Sequence, residues 1–173
     1  MFRCGGDCLP QITIEYMIMI PILIMQIFLF PLTASWIMTV WVDSRQTLAL
    51  QEVASHMGSS VHQVYSALNH ESIAKGTIRS RLDVPAFIEG YAYTGNATLR
   101  ALDSVPNSSQ VLDITLRFVG SRIEASASVT LGENVAWQSS TFMSNSANAS
   151  LIAQKYWNDT QQQYIILLSF GGA

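Results

Sequence analysis

Residues 11–42 read QITIEYMIMIPILIMQIFLFPLTASWIMTVWV. From Ile12 to Val42 the stretch has no Lys or Arg and one acid, Glu15. A charge at mid-bilayer costs at least about 2.5–3.5 kcal/mol on insertion scales. An acid kept in such surroundings needs a partner, and its place near the start of the apolar run points to the helix N-terminus. The run of 31 residues is on the order of 46 Å long as a helix. A bilayer core takes only about 20 residues. The surplus suits a helix that also packs against copies of itself. A secretory signal peptide would have an apolar region of about 7–15 residues and a small-residue cleavage site. This run is longer and passes into Trp36, Trp41 and Asp43 without such a site. Pro21 and Pro31 lie inside it. Each removes one backbone hydrogen bond and is read as a helix kink, a place where the segment can loosen on leaving lipid for a protein bundle.

Working outward, Leu50, Val53, Met57, Val61, Val64 and Leu68 recur at spacings of three and four. That is one face of an amphipathic helix. It is expected to continue the apolar helix without a break and to stop near Lys75-Gly76. The expected element is one helix over 11–75, with a membrane or core part at 12–42 and an amphipathic part at about 43–70.

From residue 76 to 173 the period falls to two. Ile78, Leu82 and Val84 alternate with Arg79, Arg81 and Asp83. The clearest strands are 111–119 and 123–131, joined by Gly120-Ser121 with Gly first, as a type II′ turn requires. Gly132-Glu133-Asn134 reads as a turn into a strand over 135–142. Further strands are expected at 87–93 and 97–102, and the continuous apolar run 164–170 reads as a central or covered strand. Residues 146–157 are ambiguous and allow a short helix. The fold class expected is α+β, a long N-terminal helix followed by an antiparallel sheet or small β-sandwich packed on its amphipathic half.

The chain has 173 residues and a net charge of −3, and only 12% of it is charged. One domain beside one anchor fits that length. No basic run is present to neutralise phosphates, so nucleic acid is not an expected partner. Both cysteines, Cys4 and Cys8, precede Gln11, so the β-rich part is not a disulfide scaffold. His56, His62 and His70 are spaced by six and eight, which does not bring them to one helix face or match a zinc motif. There is no Gly-rich phosphate loop and no nucleophile elbow. No enzyme activity, metal or cofactor is expected. Four of the seven asparagines, Asn96, Asn107, Asn148 and Asn158, head Asn-x-Ser/Thr triplets, all after the apolar run. Chance accounts for about one or two. The excess points to N-glycosylation outside the cell, with the N-terminus inside.

With these residues in hand, the N-terminus resembles the class III signal peptide of archaeal type IV pilins. That motif is a short hydrophilic leader, then Gln-x-Ser-x-Glu-Tyr, then a long apolar helix. Here it stands as Gln11-Ile12-Thr13-Ile14-Glu15-Tyr16, with Thr in place of Ser. Tad-type minor pilins, with a Glu-aromatic pair and a Pro six residues after the Glu, are a near relative. The resemblance covers residues 3–42. It implies a pilin-like fold, a leader over 1–10, and cleavage between Pro10 and Gln11 by a prepilin peptidase. The family commonly has a small residue where Pro10 stands. It further implies that Gln11, Glu15 and Tyr16 serve subunit assembly, and that the partners are copies of the chain, the membrane and the pilus assembly machinery. The mature form would be an extracellular homopolymer, a filament serving cell adhesion or related surface functions. The alternative is a monomeric single-pass surface or secretion-system protein whose β-domain binds a ligand.

Overall fold

The structure, a computed structural model, describes residues 8–102, 108–147 and 149–171, and of 8–14 the backbone only. Residues 1–7 of the expected leader, Asn107 and Asn148 lie outside the described residues. The chain divides into two compact units, one up to Asp43 and one from Ser44.

One helix, α1, spans Cys8–Asn69 and runs through Pro21 and Pro31 without interruption. It stops at Asn69, short of the expected Lys75. Lys155, far along the chain, donates to the carbonyls of Leu68 (2.8 Å) and His70 (3.1 Å). The terminal carbonyls that a local Gly or basic residue would otherwise serve are satisfied from a distance. No local signal marks that stop.

Among the described residues eight strands follow: β1 Gly76–Arg81, β2 Tyr93–Ala101, β3 Gln110–Phe118, β4 Glu124–Leu131, β5 Val135–Trp137, β6 Thr141–Met143, β7 Ser150–Asn158 and β8 Gln163–Gly171. They form two four-stranded sheets, ordered β1-β7-β8-β5 and β4-β3-β2-β6. The α+β class holds: one long apolar N-terminal helix precedes two sheets in which antiparallel pairing dominates. The β5–β8 pair is parallel. β8 lies between β7 and β5, as its unbroken apolar run requires.

Four expectations need correction. The run 135–142 is two strands: β5 pairs with β8 and β6 with β2, so the chain changes sheet between them. Ser140 Oγ accepts from Phe170 N (2.8 Å) at that crossing. The run 87–93 is a tight turn, closed by paired bonds between Ile88 and Tyr91 (3.0 and 2.9 Å), before β2 begins at Tyr93. Glu89 (φ 50°) and Gly90 (φ 85°) are both left-handed, the signature of a type I′ turn. The region 146–157 holds strand β7, not a helix. After β3 the turn centres on Val119-Gly120, closed by Ser121 N to Phe118 O (3.3 Å) with Gly120 at φ 80°. Gly is thus third in the turn, as in type II, rather than second as in type II′.

One core serves the second unit. Leu50, Met57, Val61 and Leu68 of α1 are buried with Leu112, Ile114 and Leu116 of β3, and with Leu151, Ile166 and Leu168 of β7 and β8. At β2 the fit depends on Gly95. A Cβ there would collide with the ring of Phe142 on the neighbouring strand β6. Gln51 Nε2 donates to Ser126 O (2.9 Å) on the edge strand β4, satisfying edge backbone that would otherwise be open.

Candidate functional site

The first feature is the surface of α1 before Asp43. Between Tyr16 and Trp41 every large apolar side chain is exposed, from 49% at Leu29 to 75% at Phe30. With Val42 they number twenty. Full burial of such a side chain is worth about 1.5–3 kcal/mol. Leaving the set in water therefore costs on the order of tens of kcal/mol, more than the roughly 5–15 kcal/mol by which a domain is stable. The hydroxyls in this segment do not offset that cost by offering polar surface. Thr33 Oγ1 donates to Leu29 O (3.0 Å) and Phe30 O (2.9 Å), Ser35 to Leu32 O (2.9 Å) and Thr39 to Ser35 O (3.0 Å). Each hydroxyl folds back onto its own helix, which suits an apolar solvent. This helix is long and apolar enough to cross a membrane and lies near the N-terminus. Such a helix is compatible with a single-pass membrane protein.

Glu15 and Tyr16 are exposed on α1. Neither the Arg45–Glu89 nor the Arg100–Asp113 ion pair involves Glu15. Pro10 and Gln11 fall within the first turns of α1, which carries no acid in its first turn.

The second feature is a polar cluster at the C-terminal end of α1, bordering a hollow of about 560 Å³. Tyr65 Oη donates to Asn134 Oδ1 (2.8 Å) and accepts from Gly132 N (3.1 Å). Asn134 Nδ2 donates to Asn69 Oδ1 (2.8 Å). Burial pushes the Tyr65 phenol up; the Gly132 N–H opposes this and the charge of Glu133 adds to it. Lys155 is buried, and its ammonium lies 5.5 Å from the centre of the Tyr164 ring. These groups tie the end of α1 to the β4–β5 turn and to β7. They hold no paired nucleophile and base, and among the described residues no group of His, Cys, Asp and Glu could hold a metal ion. The spacing arguments above did not find this cluster. Its one sequence signal is a lysine at an inward position of a strand, which is visible only once the strand is known.

The remaining candidates are dispersed. Asn96 is exposed in mid-strand on β2, and Asn158 is half-buried at the end of β7. The Asn158 Oδ1 accepts from Thr160 N (2.9 Å) and Gln161 N (3.4 Å), an Asx turn. His56, His62 and His70 are all exposed. On the outer face of β3, Asp113 accepts from Arg100 and Ser128, which hold its carboxyl below the usual carboxylate range. The structure brings none of these to one place. The chain has no match among known protein families, curated proteins or solved structures.

Proposed function

We propose that the chain is the structural subunit of an archaeal type IV pilus, built by packing residues 12–42 of many copies into a filament core. The observation that carries this is the exposed apolar surface of a helix longer than a bilayer needs. Lipid covers that surface in the precursor, and neighbouring subunits cover it in the filament. The β-rich unit, with its own closed core, forms the outer wall.

In this scheme the precursor spans the membrane once, N-terminus inside and β-domain outside, where glycans on Asn96, Asn107, Asn148 and Asn158 would be accessible to the outer surface. A prepilin peptidase cuts between Pro10 and Gln11. The cut frees an α-amine at Gln11 and leaves Glu15 one turn from the new helix N-terminus, the end at which the helix dipole favours an acid. Glu15 of one subunit then pairs with the amine of a neighbour. Both are charges in an apolar setting, where an unpaired charge is costly and a paired one is tolerated. That pairing fixes axial register. Mass spectrometry of the N-terminus of cell-surface material tests the scheme. The expected mature chain starts at Gln11. Surface material that retains residues before Gln11 sinks the scheme and favours the anchored monomer.

A further inference from the structure

The ends of β7 and β8 that meet in a turn break the pattern that fills the core. Leu151, Ala153 and Lys155 alternate along β7 and are buried, as are Ile166, Leu168 and Phe170 along β8. The same face continues to Trp157 and Tyr164, which are partners in the ladder. These two are 37% and 36% exposed. Beyond Lys155, which meets the last turn of α1 through Leu68 O, the face therefore carries two large aromatic side chains open to solvent. Their rings meet at 72° with centroids 4.9 Å apart, so they form a corner rather than a flat patch.

Tyr164 also lines the hollow of about 560 Å³ at the end of α1. Small-ligand sites span about 300–1,000 Å³. The other walls carry hydrogen-bonding groups: the amides of Asn69, Asn134 and Gln163, and the carboxylates of Glu71 and Glu133. Half-buried Ile73 adds an apolar strip. Two of the amides are held before any ligand arrives. Tyr65 Oη fixes Asn134 Oδ1, and Asn134 Nδ2 fixes Asn69 Oδ1. Asn69 gives its oxygen to this network, so its Nδ2 remains a donor. Groups fixed in advance lose less freedom on binding.

The charges select among ligands. Among the lining residues, two carboxylates stand against the ammonium of Lys155, which disfavours an anion. That ammonium already lies 5.5 Å from the centre of the Tyr164 ring, so a second cation seeking the ring meets a like charge. A wholly apolar ligand would strip water from the amides and carboxylates and replace it with nothing. A neutral saccharide satisfies all three conditions. Its hydroxyls pair with amides and carboxylates, and its C–H faces lie on aromatic rings.

We propose that this hollow and the Trp157–Tyr164 corner form a binding site for a neutral saccharide. Glu71, Glu133 and the Asn69 amide hold its hydroxyls, and the aromatic corner carries its C–H face. The site lies wholly within the unit from Ser44, so it is the same in a filament subunit and in an anchored monomer.

The test uses the full chain, produced without glycosylation, in a detergent that lacks sugar headgroups. Ligand-observed NMR titrations follow the methyl glycosides of glucose, galactose, mannose and N-acetylglucosamine. N-acetylneuraminic acid and choline are the charged comparisons. At least one neutral glycoside is expected to bind saturably, and neither charged probe to bind as tightly. Trp157→Ala should weaken that binding about tenfold, the loss expected of one aromatic contact. Glu71→Gln, a change at an exposed residue that keeps the side chain's shape, should weaken it several-fold with the thermal midpoint unchanged. If no neutral glycoside binds, the proposal is overturned. Tighter binding of choline or N-acetylneuraminic acid also overturns it. Glycoside binding that both variants leave unaltered places the sugar elsewhere and overturns this hollow as the site.

Discussion

Lys155 shows how one residue can join two elements. It occupies a core-facing position of β7 between Ala153 and the outward-tending end of the strand, and its ammonium ends on the carbonyls of Leu68 in α1 and of His70 just beyond it. Hydrogen bonds to a charged donor are worth about 1.5–3 kcal/mol. Lys155→Met keeps the length and loses the donor to the Leu68 carbonyl, while the His70 carbonyl keeps only its bond from Ile73 N (3.1 Å). The expected loss is about 2 kcal/mol, read by urea unfolding in mild detergent; an unchanged midpoint would mean that water replaces the ammonium at no cost. Tyr93 offers a test by pH. Burial pushes its phenol from 10.0 up to about 12. The folded state holds that proton more tightly than the unfolded chain does. Its contribution is therefore complete below pH 10 and lost as the pH rises through 12, by at most about 2–3 kcal/mol. Tyr93→Phe should lower stability at pH 7 through the lost bond to Pro85 O, yet flatten the decline above pH 10. Thermal melts from pH 8 to 12 on both proteins check this, and parallel declines would assign the alkaline loss to other groups.

At the scale of elements, spacing revealed what repeats and missed what is settled by a distant partner. The three-and-four spacing from Leu50 to Leu68 found the buried face of α1, because a helix must repeat its contacts against the sheets to bury them. The alternation at 111–119 and 123–131 found β3 and β4 for the same reason. The stop of α1 at Asn69 escaped because Lys155 supplies it from 86 positions on, 155 less 69. β7 escaped because that lysine stands where alternation expects an apolar residue. The β5–β6 run escaped because its residues change sheet without changing their pattern. The candidate site divides in the same way: the apolar surface of α1 is visible in composition, whereas the Tyr65–Asn134–Asn69 network depends on contacts across more than sixty residues. Gly58 marks how closely α1 approaches β4, since a Cβ there would come within 2.7 Å of Val129 Cγ2. Gly58→Leu should gain helix propensity and still destabilise by about 1–3 kcal/mol, because β-branched Val129 yields poorly. A raised midpoint in thermal unfolding would contradict that tight approach.

For the whole molecule, the division at Asp43 separates an exposed apolar helix surface from a unit with a core of its own. The unit from Ser44 has a buried core of its own, whereas twenty large apolar side chains before it are left for something else to cover. A monomer anchored in lipid covers them permanently. A filament subunit exchanges lipid for its own copies, and then Glu15 becomes a register device instead of an uncompensated cost. Electron microscopy of material sheared from cells, wild type beside Glu15→Ala, separates these possibilities. Wild-type chain is expected in filaments, and Glu15→Ala chain in the membrane without filaments. Wild-type chain found solely as detergent-soluble monomers, or normal filaments from Glu15→Ala, would contradict assembly through the N-terminal helix.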